Sequence, residues 1–115
     1  MPKPYNMPDH YKGDTFDELQ FTLSTSPSTP IDLTGALIKC QFRKEKKNGV
    51  LKKELTESDG ITITDAINGV FRIDSFILDW TPGKYFYDIQ FTFPDTTVVT
   101  YIDGSITILQ DVTYG

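Results

Sequence analysis

Histidine and cysteine are almost missing from this chain of 115 residues, which holds one of each, His10 and Cys40. That scarcity removes whole classes of chemistry. A single cysteine closes no intrachain disulfide, so the domain is not a disulfide-stapled scaffold. Zinc needs three or four clustered nitrogen or sulfur ligands, which these two residues cannot supply. His10 stands among prolines near the N-terminus, a poor setting for the base of a Ser-His-Asp triad or a Cys-His pair. Glycines are scattered at turns and never spaced as a phosphate cradle. Basic residues are outnumbered, 11 against 16 acidic for a net charge of −5, whereas nucleic-acid modules carry a basic field. No apolar run has the length of a membrane span or a signal-peptide core. Neither nucleic acid nor membrane is therefore expected as a partner, and synthesis is expected in a reducing cytoplasm.

Helical periodicity is missing beyond a single turn, and period two takes its place. The clearest stretch runs from Pro82 to Phe93. Tyr85, Tyr87, Ile89, Phe91 and Phe93 alternate with Phe86 and the polar Asp88, Gln90 and Thr92, the pattern of a half-buried strand. Either Tyr85 or Tyr87 is expected to send its hydroxyl to a backbone partner, as buried tyrosines do.

The same alternation gives further strands. Leu19, Phe21 and Leu23 form the first, which ends in the breaker run Ser26-Pro27-Ser28-Thr29-Pro30. Phe16 is out of phase with it, so Asp17-Glu18 reads as a bulge or an irregular strand start. Ala36, Ile38, Cys40 and Phe42 form the next inward face, with Lys39, Gln41 and Arg43 facing out and Cys40 a small buried hydrophobe. Asn48-Gly49 suits a type I′ turn and predicts a hairpin whose tip carries Lys44 to Lys47. The returning strand spans Val50 to Leu55, and Asn68-Gly69 joins Gly60–Thr64 to Val70–Ile73. Phe76 to Trp80 is expected to cross as a short helical turn, with Trp80 plugging the edge of the core. Thr97 to Leu109 places Val98, Ile102, Ile106 and Ile108 on one face, with a bulge or kink at Asp103-Gly104. About seven short strands with regular turn signals predict an all-β antiparallel sandwich over residues 13–115.

Residues 1–12 form a proline-rich arm that can be neither helix nor a fully paired strand. It either packs on its own domain or docks on a neighbouring subunit; in the second case Pro4, Tyr5, Met7 and Tyr11 are its contacts. Lys44, Lys46 and Lys47, with Lys52 and Lys53, make the one basic patch. Charge at such a tip blunts strand-edge pairing, and the functional alternative is docking to an acidic neighbour. Asp74, Asp79 and Asp88 read as solvated carboxylates rather than a catalytic pair. Asp14, Asp17 and Glu18 lack the regular ligand spacing of a calcium loop. No catalytic residue, cofactor or metal is assigned, and the chain is not expected to be an enzyme.

Six pieces then occur in a characteristic order: Gly13-Asp14-Thr15, Pro30 to Ala36, Gly60 to Asp65, Pro82 to Ile89, Gly104 to Ile108, and Asp111-Val112-Thr113. Together they resemble the immunoglobulin-like domains of tailed-phage virion proteins, especially the N-terminal domain of phage baseplate upper proteins and related tail-fibre modules. The resemblance implies a non-enzymatic structural protein, an interaction module of tail, baseplate or fibre. Its expected partners are other virion proteins and copies of itself, and its expected location is the virion. A head decoration or connector role in the same particle is an alternative. A carbohydrate-binding or adhesin-type domain is another, less favoured, with Phe86 and Tyr101 as outward aromatics. Antibody hallmarks are missing, because no cysteine pair exists and Trp80 precedes the tyrosine-rich strand.

Overall fold

The computed structural model describes residues 3–26, 29–46 and 48–110; Lys47 and the closing Asp111-Val112-Thr113 lie outside them. Among the described residues there is no helix. In chain order the elements are β1 (Lys3–Pro4), β2 (His10–Tyr11), β3 (Thr15–Phe16), β4 (Leu19–Thr22), β5 (Ser24–Ser26), β6 (Thr29–Pro30) and β7 (Leu37–Lys44). They continue with β8 (Leu51–Thr56), β9 (Ile61–Asp65), β10 (Val70–Ile73), β11 (Phe76–Ile77), β12 (Gly83–Thr92) and β13 (Val98–Leu109). The expected strand count corresponds to the longer elements, β4, β7 to β10, β12 and β13.

The large sheet runs β1-β13-β12-β7-β8, and β2 also pairs with β13. A smaller sheet runs β4-β10-β9, while β11 pairs with β3 and β5 with β6. Alternation builds both layers. Along β12, Tyr85, Tyr87, Ile89 and Phe91 are buried, and Ile38, Cys40 and Phe42 are buried along β7. Each of the Ile and Phe side chains among them contributes about 1.5–3 kcal/mol by leaving water. From the small sheet, Phe71 meets Phe91 edge-to-face at 5.4 Å, so both sheets feed one core. Trp80 is buried as a plug at its end, 5.1 Å from the rings of both Phe42 and Tyr85.

Several local expectations give way to tertiary structure. Phe76 to Trp80 is not helical: β11 pairs with β3, and Phe76 stacks on Phe16 at 5.1 Å. This explains the odd phase of Phe16, because Asp17-Glu18 is where the chain leaves its pairing with β11 and enters β4, which pairs with β10. The breaker run is itself paired, Ser24 with Pro30 and Ser26 with Thr29.

The hairpin tip is not a two-residue turn at Asn48-Gly49. Lys44 N–H donates to Val50 C=O at 3.0 Å, and among the described tip residues the positive φ is at Glu45, 70°. Gly49 is needed for space instead, since a Cβ there would lie 2.1 Å from the Lys44 carbonyl oxygen. In β13 the irregularity lies two residues before the expected Asp103-Gly104. Ile89 pairs with Ile102 and Gln90 with Thr100, leaving Tyr101 as the extra residue. The phase therefore flips, and Val98 is 54% exposed rather than inward.

Candidate functional site

The arm forms strands on its own domain. β1 and β2 lie parallel to β13, with Lys3 opposite Ile102 and His10 opposite Ile108. Between them Tyr5 N–H donates to Asp103 C=O at 2.7 Å and Met7 N–H to Ser105 C=O at 2.8 Å, and Lys12 N–H reaches Leu109 C=O at 2.9 Å. Tyr87 sends its hydroxyl to the Tyr5 carbonyl at 2.6 Å. Gly104 makes that approach feasible, because a Cβ there would stand 1.9 Å from the same oxygen. Burial pushes the Tyr87 phenol pKa upward, so its proton stays on this bond.

The expected partner residues divide accordingly. Met7 is a core residue, 5% exposed, packed within its own chain. Pro4 is exposed, Tyr5 is 38% exposed and Tyr11 49%. Lys44 is half-buried at the end of β7 and Lys46 is exposed; Lys47 is outside the described residues. Tyr11 lies opposite Leu109 on β13, and Lys44 opposite Tyr85 on β12. These two sit toward the same end of the large sheet on opposite flanks, with β13 and β12 between them. The basic group is also divided, since Lys53 stands over the Phe76 ring at 5.1 Å.

What the register brings together is the outward face of the large sheet. Asp88 is directly opposite Gln41 on one side and Asp103 on the other, and Phe86 is opposite Arg43 and Ser105. Gln41, Arg43, Phe86, Tyr87, Asp88, Thr100 and Asp103 line a shallow concavity of about 230 Å³. Its polar rim is ordered. Arg43 donates to Gln41 Oε1 and to Gly49 C=O, each at 3.0 Å, and Gln41 donates to Glu54 at 2.9 Å. Partial burial raises the Asp88 pKa, Arg43 draws it back, and Asp103 pushes it up further. At one end of the same face Leu37 and Val98, 58% and 54% exposed, flank Thr92. Period two exposed Gln41, Arg43 and Asp88 in the sequence, but only cross-strand register joins them to Thr100 and Asp103.

The other carboxylates occupy separate surroundings. Asp74 accepts from Arg72 Nε at 2.8 Å and from the Thr62 hydroxyl at 3.0 Å, contacts that hold its pKa below the usual range. Asp79 pairs with Lys12. Asp32 accepts from the Thr34 hydroxyl at 2.6 Å and from its backbone N–H at 2.9 Å, Asp95 accepts the backbone N–H of Thr97 at 2.9 Å, and both are lowered likewise. Cys40 is fully buried and its thiol pKa is pushed up by desolvation, the reverse of an activated thiolate. Among the described residues no three His, Cys, Asp or Glu side chains come together as a metal site. Tyr101 packs edge-to-face on Phe91 at 5.5 Å, so of the two outward aromatics only Phe86 lies on the concavity.

The chain matches no protein-family model and no curated protein.

Proposed function

We propose that the chain is a non-enzymatic structural subunit of a tailed-phage particle, an immunoglobulin-like sandwich that acts by binding neighbouring subunits in tail, baseplate or fibre. The observation that carries this reading is the strand arrangement. The sheet β13-β12-β7-β8, the smaller sheet β4-β10-β9 and an N-terminal strand parallel to β13 are compatible with the two-sheet plan of immunoglobulin-like domains. Tyr85 adds a second feature. It stands at the start of β12 and its hydroxyl donates to Thr81 C=O at 2.6 Å, the upstream bond of a tyrosine corner. Fold alone does not define function, and the virion role rests on the six-piece resemblance together with this arrangement. Mass spectrometry of purified phage particles encoding the chain tests it. The polypeptide is expected in amounts comparable to known tail proteins, and particles complete without it would overturn the reading.

One observation favours a glycan-binding role as the second reading, namely the half-buried Phe86 ring beside Arg43, Gln41 and Asp88 in one concavity. An apolar ring face with hydrogen-bonding groups around it is the form of site small polar ligands use. A glycan array on which the protein and its Phe86→Ala variant give the same blank result removes this reading.

A further inference from the structure

The edge of the small sheet carries the strongest unassigned feature. β4 pairs with β10 and with no other strand among the described residues. Leu23 N–H donates to Gly69 C=O at 2.9 Å, and Phe21 and Leu19 stand opposite Phe71 and Ile73. Antiparallel ladders alternate, so Leu19, Phe21 and Leu23 bond toward β10 while Gln20 and Thr22 aim their N–H and C=O groups at the open side. Beside that edge an apolar groove of about 230 Å³ is bounded by Pro4, Tyr5, Leu19, Phe21, Leu23 and Ile102.

Exposed edges are normally blunted by charge, proline or a bulge. The other edges of the two larger sheets obey this rule. β8 carries Lys52, Lys53 and Glu54, β9 is shifted in register against β10 and ends in Asp65, and the arm carries Pro4 and Pro8. β4 reads Leu-Gln-Phe-Thr and pairs with β10 without a register shift. Within its four residues β4 carries no charge, proline or bulge.

We propose that β4 is a self-association edge, pairing antiparallel with β4 of a second copy about a two-fold axis through Phe21. This register is self-complementary. Gln20 then faces Thr22 of the other copy, a hydrogen-bonded pair in which both residues exchange N–H and C=O bonds, and symmetry repeats it. Phe21 meets its own copy at a close, non-hydrogen-bonded position beside Tyr5, and the partly exposed Leu19 faces the buried Leu23. No like charges are opposed, because Glu18 falls opposite Ser24 and Asp17 opposite Thr25. The contact is small beside a standard interface, so it forms in the micromolar range. It goes beyond the virion reading, does not require it, and names a partner.

Sedimentation equilibrium of the purified protein tests it, independently of any particle. The wild type is expected to dimerise in the micromolar range. Gln20→Pro removes an outward N–H that the protein's own ladder does not use, and weakens the dimer by about tenfold or more. Should that variant misfold, two charge variants at exposed side chains give the answer. Q20K/T22E places Lys against Glu across the axis and keeps the dimer, whereas Q20E/T22E sets Glu against Glu and dissociates it. A wild type still monomeric at about 100 μM, or a dimer indifferent to the charge pattern at positions 20 and 22, overturns the proposal.

Discussion

Gly104 and Tyr87 fix the arm from two directions. The glycine leaves room for the Tyr5 carbonyl and the phenol donates to it. Gly104→Ala is expected to push the arm off β13 and to cost about 1–3 kcal/mol, as forced overpacking does. Tyr87→Phe keeps the ring and loses one hydrogen bond, for about 1 kcal/mol. Chemical denaturation reads both, and amide exchange should speed up at Tyr5 and Met7 far more in Gly104→Ala. A second residue-scale expectation concerns pH. Asp32, Asp74 and Asp95 have folded pKa values below the ordinary 3.8, so they stabilise the fold above that value and the benefit is lost as pH falls through their lowered values. Asp88 is raised, so its ionisation opposes folding once pH exceeds its folded value. Asp88→Asn should raise stability at pH 7 by less than about 1 kcal/mol, the scale of a solvent-screened charge. Thermal melts across pH 3–8 check both signs, and an Asn variant less stable than wild type at pH 7 would contradict the assignment.

At the scale of elements, the arm's strands are part of the large sheet. Met7→Ala is expected to destabilise by about 2–5 kcal/mol, like other core truncations, whereas Tyr11→Ala, at a side chain 49% exposed, should change stability by less than about 0.5 kcal/mol. Thermal denaturation of the two variants separates a structural arm from a free one. Removing the whole arm would therefore confound loss of partner binding with loss of fold. The strands with strict alternation, β7 and β12, were legible from side-chain period alone, and so was the burial of Cys40; Trp80 plugs the core as expected, though from an extended segment rather than a helical turn. What was not legible depended on partners distant in sequence. β11 looked like a connector until β3 was beside it, and the Tyr101 bulge arises only from how β13 meets β12. At the tip, Asn48-Gly49 carried the right turn chemistry, but the loop closes between Lys44 and Val50. The candidate concavity was half legible, since alternation turned Arg43 and Asp88 outward while register alone placed Asp103 opposite Asp88.

For the whole molecule, the core is apolar among the described residues, with no buried polar or charged residue there, and the polar chemistry lies on outward faces. Among the described residues the outward features open to the proposed contacts are the concavity around Asp88, the Leu37 and Val98 strip, the exposed arm residues Tyr5 and Tyr11, and the β4 edge. The proposed role as a subunit that holds neighbours draws on these outward surfaces. Cryo-electron microscopy of intact particles at side-chain resolution tests it most directly. The account predicts density for this fold in the tail, baseplate or fibre, with the arm on its own β13 and a neighbouring subunit against one of those four features. Particles whose density holds no copy of the fold, or copies whose arms lie on a neighbour's β13, would contradict it.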